Sequence, residues 1–103
     1  MPFGLSETTV RTIHAIFQQH PDIEQVIIYG SRAKGNYKPG SDIDLTLIGD
    51  ALTHADLLRI MHEIVESPIP YLVDLSIFHD VGDLAVREHI QRRGCVFYQK
   101  LNP

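Results

Sequence analysis

The feature that most constrains this chain is a stretch of small and turn-forming residues between two apolar runs. Residues 30–41 contain three glycines, a proline and two serines, and the apolar runs lie at residues 26–29 and 43–48. Glycine and proline at this density turn the backbone. The two runs are therefore predicted to be strands joined by a compact turn, which makes them antiparallel neighbours in a sheet.

The turn has the composition of an anion-binding loop. Its glycines leave backbone N–H groups open to phosphate oxygens, and Arg32, Lys34 and Lys38 add positive charge. If Ser31 begins a short helix, the partial positive charge of the helix N-terminus favours the same ligand. We therefore expect this loop to hold a phosphate group.

Two carboxylates follow the loop with one residue between them. At the start of a strand, the period of two places Asp42 and Asp44 on one face of the sheet. Two negative charges so close together repel each other unless a cation lies between them. Carboxylate oxygens are suitable ligands for magnesium. The alternative is that the two aspartates cap the turn or pair with Arg32. A phosphate-binding loop next to a magnesium site is typical of an enzyme that uses a nucleoside triphosphate.

Hydrophobic periodicity and capping signals predict the remaining elements. Helices are expected at residues 6–20, 53–66 and about 80–94, with one helical turn at 31–34. Strands are expected at residues 23–29, 42–48 and 71–78, with a short edge strand at 95–98. A helix separates the second and third strands, which predicts a parallel pair with a right-handed crossover. The fold class is α/β (α+β-like), a small mixed β-sheet flanked by helices, in one domain over residues 1–103.

A third carboxylate lies within the predicted strand at 71–78. Asp74 is surrounded there by apolar residues, where a carboxylate is costly unless it is paired or bound to metal. If this strand is next to the one that carries Asp42 and Asp44, the three carboxylates could hold two magnesium ions, and Asp74 could accept a proton from an attacking hydroxyl. The alternatives are an exposed sheet edge or an ion pair with one of three arginines: Arg87, Arg92 or Arg93.

Composition excludes several classes of function. Nine basic and thirteen acidic residues give a net charge of −4, so long nucleic acid is not expected as a main partner. The single cysteine, Cys95, fits a reducing compartment. The N-terminus lacks the pattern of a signal peptide, and no apolar run approaches the roughly 20 residues of a membrane span. We expect a cytoplasmic protein that does not bind membranes.

Two segments resemble the signature of a known family. Gly30-Ser31-Arg32-Ala33-Lys34-Gly35, followed by Ser41-Asp42-Ile43-Asp44-Leu45, resembles the minimal nucleotidyltransferases of the DNA polymerase β-like superfamily. The family pattern is Gly-Ser, about ten residues, Asp-x-Asp, and a third aspartate on a later strand. The visible departure is Lys34, where arginine is more usual, because lysine keeps the charge but lacks the guanidinium fork.

The resemblance implies a nucleotidyltransferase fold and a role for each matching residue. The nucleotide-binding residues would be Gly30, Ser31, Arg32 and Lys34. The catalytic and magnesium-binding residues would be Asp42, Asp44 and Asp74. The reaction would be attack of an acceptor hydroxyl on the α-phosphorus of ATP, with transfer of AMP and release of pyrophosphate.

The resemblance also implies a partner. Small members of this family are often antitoxins that act on a helical protein of the HEPN type, and some transfer AMP to it. Independently, a chain of 103 residues has little surface for both a nucleotide pocket and an acceptor site. Two rival hypotheses are a binding module that neutralises or completes a helical partner by contact alone, and a nucleotide sensor that binds ATP without transfer.

Overall fold

A computed structural model of the protein describes residues 2–101. Its helices are α1 (Glu7–Gln18), α2 (Ser31–Lys34), α3 (His54–Glu66) and α4 (Leu84–Arg93). Its strands are β1 (Gln25–Tyr29), β2 (Ile43–Ile48), β3 (Val73–Ile77) and β4 (Cys95–Gln99). Single 3₁₀ turns lie at Pro2–Gly4 and Phe78–Asp80. None of the helices in this range is long and apolar enough to cross a bilayer.

The four strands form one mixed sheet in the order β3-β2-β1-β4. Strand β1 runs antiparallel to both β2 and β4, and β2 runs parallel to β3. These directions confirm the predicted antiparallel and parallel pairs, and β4 is the predicted edge strand. A register shift between Val26 and Ile27 interrupts the pairing with β4.

One face of the sheet is buried beneath α1 and α3. In β2 the alternate residues Ile43, Leu45 and Leu47 are fully buried, and they lie in one apolar cluster with residues of both helices. The helical members of that cluster are Ile13, Phe17, Ile60 and Ile64. Because neighbouring side chains of a strand point to opposite faces, the residues between them face the other side of the sheet. That second face carries the polar residues of β1, β2 and β3.

Side-chain caps determine where the long helices begin. The Ser6 hydroxyl accepts a hydrogen bond from the Thr9 N–H at 3.1 Å, at the start of α1. Thr53 and Asp56 form a reciprocal capping box at the start of α3, with hydrogen bonds of 2.9 and 3.2 Å to each other's backbone N–H groups. Both starts agree with the sequence prediction.

The prediction is wrong at the ends of β3 and at the start of α4. Strand β3 covers Val73–Ile77 and not residues 71–78, because a 3₁₀ turn begins at Phe78. Helix α4 begins at Leu84 and not near residue 80, because the Asp83 carboxylate caps it by accepting from the Ala85 N–H at 2.9 Å. An aspartate directly before a helical run is a stronger start signal than one three residues earlier.

Candidate active site

A row of polar side chains crosses three strands on the face opposite the core. The register pairs Tyr29 on β1 with Asp44 on β2, and Asp44 with Asp74 on β3. Directly paired residues project from the same face of a sheet. Asp44 is half-buried in the middle of this row, and Asp74 is exposed on the edge strand.

The pKa of Asp44 reflects its burial and the charges of the two neighbouring carboxylates. Burial raises the pKa of the Asp44 carboxyl above its usual value, and the negative charges of Asp74 and then Asp42 raise it further. Asp42 itself is exposed and lies directly before the first residue of β2, not within the strand. The fold therefore brings all three aspartates into one region of negative potential.

The donor set suits a hard divalent cation. Carboxylate oxygens are the ligands that magnesium prefers, and a cation would remove the repulsion that, after burial, raises the pKa of Asp44. Within residues 2–101 no three carboxylate, histidine or cysteine side chains converge on one point. In the same range Asp74 forms no ion pair with an arginine. Of the two alternatives for Asp74, an ion pair or an exposed sheet edge, the structure shows the exposed edge. Asp44 and Asp74 fit magnesium by their chemistry and by their shared sheet face, and Asp42 lies beside them directly before β2.

Gly30 connects the glycine-rich loop to these carboxylates. Its φ of 75° and ψ of −152° lie in a region that only glycine adopts readily. A Cβ atom added at this position would overlap the Oδ2 atom of Asp44. The loop backbone thus lies against the central carboxylate, and any side chain at position 30 would push the two apart.

Helix α2 is the single turn that the loop predicts. The Lys34 N–H donates to the Gly30 carbonyl at 3.1 Å, and the Gly35 N–H donates to the Ser31 carbonyl at 3.0 Å. Gly35 ends the turn in the left-handed conformation, at a φ of 87°. Ser31 is half-buried and Lys34 is exposed, so both are accessible to a ligand next to Gly30.

Arg32 does not lie where the sequence predicts. Its side chain is only 2% exposed, and its guanidinium points into the protein. The Nη2 and Nε atoms donate to the Ser41 carbonyl at 2.9 and 3.1 Å, the Nη1 atom to the Phe3 carbonyl at 2.9 Å, and Nη2 also to the Pro39 carbonyl at 3.3 Å. These interior partners, and not an open loop, surround the charge that was expected to contact a phosphate.

Two more polar residues on the site face extend the row. Ser76 on β3 pairs with Thr46 on β2, and the Ser76 hydroxyl donates to the Thr46 hydroxyl at 2.9 Å. Burial, and next the charge of Asp74, raise the pKa of the Tyr29 hydroxyl, while a hydrogen bond with Ser76 opposes that rise. Sequence reasoning did not select Thr46 or Ser76, although each lies two residues after a predicted site aspartate. The period-two spacing was the signal that could have found them.

Helix α4 contacts the site face beside β1. The ring of His89 packs edge-on against Tyr29, with centroids 6.4 Å apart. Gly94, directly after this helix, lies against Ile27 and leaves no room for a Cβ atom. The carboxylate row is therefore bounded on its β1 side by α4 and is open at the β3 edge.

Comparison with known sequences identifies one family. The sequence model of the family "polymerase beta, nucleotidyltransferase" matches residues 11–102. The matched region contains the loop, the three aspartates and all four strands. No curated protein sequence matches this chain.

Several solved structures share the fold. A toxin–antitoxin complex with AMP-PNP has a TM-score of 0.69 and 18% identity, over 93% of this chain and 75% of that chain. A complex of tri-AMPylated Shewanella oneidensis HEPN toxin with MNT antitoxin has a TM-score of 0.67 and 14% identity, over 93% and 74%. A proposed nucleotidyltransferase from Sulfolobus solfataricus has a TM-score of 0.53 and 20% identity, over 88% and 77%. Likeness at these identities shows a common fold.

Proposed function

The chain belongs to the polymerase beta nucleotidyltransferase family, and on that premise we propose that it is a magnesium-dependent enzyme that transfers AMP from ATP to an acceptor hydroxyl. The observation that carries this proposal is the direct pairing of Asp44 with Asp74 beside the bare backbone of Gly30. Paired carboxylates next to an open glycine loop are what a metal-bound triphosphate requires.

The three aspartates are the proposed metal ligands. Asp42 and Asp44 would bind magnesium, and Asp74 would complete the set of ligands for two ions. Bound magnesium would neutralise phosphate charge and favour ionisation of the attacking hydroxyl. The raised pKa of Asp44 supports this assignment, because burial and then the charges of Asp74 and Asp42 raise it, and a cation would compensate those charges.

The other residues of the loop would hold the nucleotide. Gly30 and Ser31 offer backbone N–H groups to the triphosphate, and the exposed ammonium of Lys34 is free to steady its charge. The acceptor oxygen forms a bond to the α-phosphorus while the bond from that phosphorus to the pyrophosphate oxygen breaks. Asp74, which is exposed at the open edge, would accept the proton of the acceptor hydroxyl.

The proposed acceptor lies on a helical partner protein of the HEPN type. The fold is shared with chains from toxin–antitoxin complexes, one of which contains an AMPylated HEPN toxin. The open β3 edge supports this proposal, because a second protein can approach the carboxylates from that side. An antitoxin-like role in the cytoplasm would follow.

The test is transfer of a labelled nucleotide. Purified protein is incubated with ATP labelled on the α-phosphate, magnesium and a lysate of its own host. We expect one labelled protein band, lost with Asp44→Asn and kept with Asp50→Asn, an exposed carboxylate directly beyond the far end of β2. We also expect the labelled band to be absent when magnesium is omitted.

Two results would contradict the proposal. If Asp44→Asn still neutralised the partner and no band formed with the unmodified protein, the chain would be a binding module. If magnesium-dependent ATP binding occurred without release of pyrophosphate, the chain would be a nucleotide sensor.

A further inference from the structure

A buried arginine connects the segments that lead into the candidate site. We propose that Arg32 is a positioning residue, which fixes the magnesium-binding aspartates through the backbone that precedes them, and that it does not contact the nucleotide. The proposal rests on the proposed function for the identity of the ligands. Its evidence is the set of bonds that the guanidinium makes.

The first connection leads to Asp42. Arg32 donates two hydrogen bonds to the carbonyl of Ser41, at 2.9 and 3.1 Å, and a longer one to that of Pro39, at 3.3 Å. Ser41 is directly before Asp42, and its side chain accepts from the Lys38 N–H at 2.8 Å. The guanidinium therefore fixes the last turn of the loop directly before Asp42, the first of the three aspartates.

The second connection leads to Asp74. The guanidinium lies over the ring of Tyr71, with its carbon 4.8 Å from the ring centroid. The next residue, Leu72, accepts a hydrogen bond from the Ile43 N–H at 2.9 Å, which joins the starts of β3 and β2. Ile43 lies between Asp42 and Asp44, so the same small region fixes the backbone that carries all three carboxylates.

The third connection is to the N-terminal segment. Arg32 donates to the Phe3 carbonyl at 2.9 Å, and its carbon lies 5.0 Å from the centroid of the Tyr37 ring. Tyr37 packs against Gly4 so closely that a Cβ atom there would overlap the ring. The N-terminal segment thus contributes to the burial of the arginine, together with Tyr37.

Because of these contacts, the guanidinium is not available to bind a phosphate. Four hydrogen bonds and two aromatic faces occupy a side chain that is 2% exposed. A buried charge is tolerated because carbonyl dipoles and ring faces replace its water. Turning the guanidinium outward would leave three carbonyls without their partner. Lys34, which is exposed, has no such constraint.

The first experiment uses the unmodified protein. The exchange rate of the Arg32 Nε–H with solvent is measured by NMR, with the signal assigned by its absence in Arg32→Lys. We expect slow exchange in the free protein and no further slowing with ATP and magnesium. Fast exchange that slows more than about tenfold when the nucleotide is added would overturn the proposal, because it would show a hydrogen bond made to the ligand.

The second experiment separates metal binding from nucleotide binding. Lysine keeps the charge of Arg32 but cannot reproduce its planar fork. In Arg32→Lys we expect the magnesium concentration for half-maximal ATP binding to rise about tenfold or more, since residues that orient metal ligands have effects of this size. ATP affinity at saturating magnesium should stay near the unmodified value. In Lys34→Met we expect the opposite result: a weaker ATP affinity at saturating magnesium and an unchanged magnesium requirement.

Two outcomes of that comparison would overturn the proposal. If the guanidinium contacted phosphate, Arg32→Lys would weaken ATP binding at saturating magnesium, as Lys34→Met is expected to do. If Arg32→Lys lowered only the melting temperature and left the magnesium requirement unchanged, Arg32 would be structural alone. Absence of transfer by the unmodified protein would refute the proposed function, while the exchange and binding measurements would still decide the place of Arg32.

A second variant covers the case in which Arg32→Lys does not fold. Gly4→Ala keeps the arginine side chain but displaces the Tyr37 ring and strains the backbone, at a φ of 70°, beside the Phe3 carbonyl that Arg32 contacts. We expect a raised magnesium requirement of smaller size, with ATP affinity at saturating magnesium unaltered. A folded Gly4→Ala protein with an unaltered magnesium requirement would argue against the proposal.

Discussion

Asp44 and Asp74 lie directly opposite each other on the parallel strands β2 and β3. Burial and the charge of this neighbour together raise the pKa of Asp44. Two carboxylates in register on one sheet face repel each other, so the fold carries an electrostatic cost at this position. That cost is the origin of two of the predictions that follow.

Asp44→Asn should stabilise the protein when magnesium is absent. Removal of one of two like charges across a strand pair is worth about 0.2–1 kcal/mol in the free energy of unfolding. For the unmodified protein, magnesium at a hundred times its dissociation constant should add roughly 2.7 kcal/mol. Urea unfolding with and without magnesium measures both effects. Asp50→Asn is the control, and a destabilised Asp44→Asn protein would contradict the prediction.

The contribution of Asp44 to the stability of the metal-free protein should fall as the pH rises from about 4. The pKa of Asp44 is raised in the folded chain above the 3.8 of the free side chain. Between those two values the folded state binds more protons than the unfolded state, so ionisation of Asp44 disfavours folding. Above the raised pKa this loss is complete and constant. Unfolding midpoints over this range, compared between the unmodified protein and Asp44→Asn, isolate the contribution.

Saturating magnesium should reverse that slope for Asp44. A bound cation favours the ionised carboxylate, which lowers its pKa below that of the unfolded chain. Stability would then rise with pH through the same range, because the unfolded state binds more protons. Repeating the unfolding series with magnesium tests this sign, and an unchanged slope would mean that the cation is not at Asp44.

Gly30→Ala should abolish transfer, whereas Gly35→Ala should not. Both glycines have a positive φ, at 75° and 87°, so alanine strains the backbone at each by roughly 1–3 kcal/mol. Only at position 30 does the new Cβ atom also overlap Asp44, while nothing lies within 4 Å at position 35. Melting temperatures and transfer rates of the two variants separate strain from displacement of the carboxylate. Equal loss of transfer in both would contradict this interpretation.

Lys34→Met should weaken ATP binding, and Lys34→Arg should preserve or improve it. An exposed charge contact is worth roughly 1 kcal/mol, or about a fivefold change in affinity. Arginine offers two parallel donors to a phosphate, which lysine cannot. Titration of each variant with ATP at saturating magnesium measures the change. An arginine variant weaker than the methionine variant would exclude a phosphate contact at this position.

Thr53→Ala should lower stability without altering transfer. It removes one half of the capping box at the start of α3, a loss of about 0.5–2 kcal/mol. Helix α3 covers the face of the sheet opposite the carboxylates, so the KM for ATP should stay the same. Thermal unfolding and steady-state rates at a temperature well below the melting point make the comparison. A raised KM would show that the two faces are coupled.

The order of elements and the strand directions were predictable from local signals. The loop at residues 30–41 predicts an antiparallel pair, and the helix between β2 and β3 predicts a parallel one. The ends of β3 were not predictable, because Tyr71 and Phe78 continue the apolar pattern beyond the strand. Apolar content reports burial, whereas a strand end depends on the backbone partner.

The interior position of Arg32 could not be predicted from its neighbours. A basic residue among glycines fits an anion-binding loop as well as it fits an interior position. Its partners include groups from distant parts of the chain, the Phe3 carbonyl and the Tyr71 ring. Only tertiary structure brings these groups together, whereas Asp42 and Asp44 are related by the period of a single strand.

The alternation along β2 makes strand register a requirement for the proposed activity as well as for folding. Ile43, Leu45 and Leu47 face the apolar interior, and Asp44 between them faces the site. A slip of one residue against β1 would bury a carboxylate and turn leucines toward water. A misregistered molecule would therefore be inactive and at the same time a target for quality-control proteases. Specific activity can accordingly serve as a count of correctly folded molecules in a preparation.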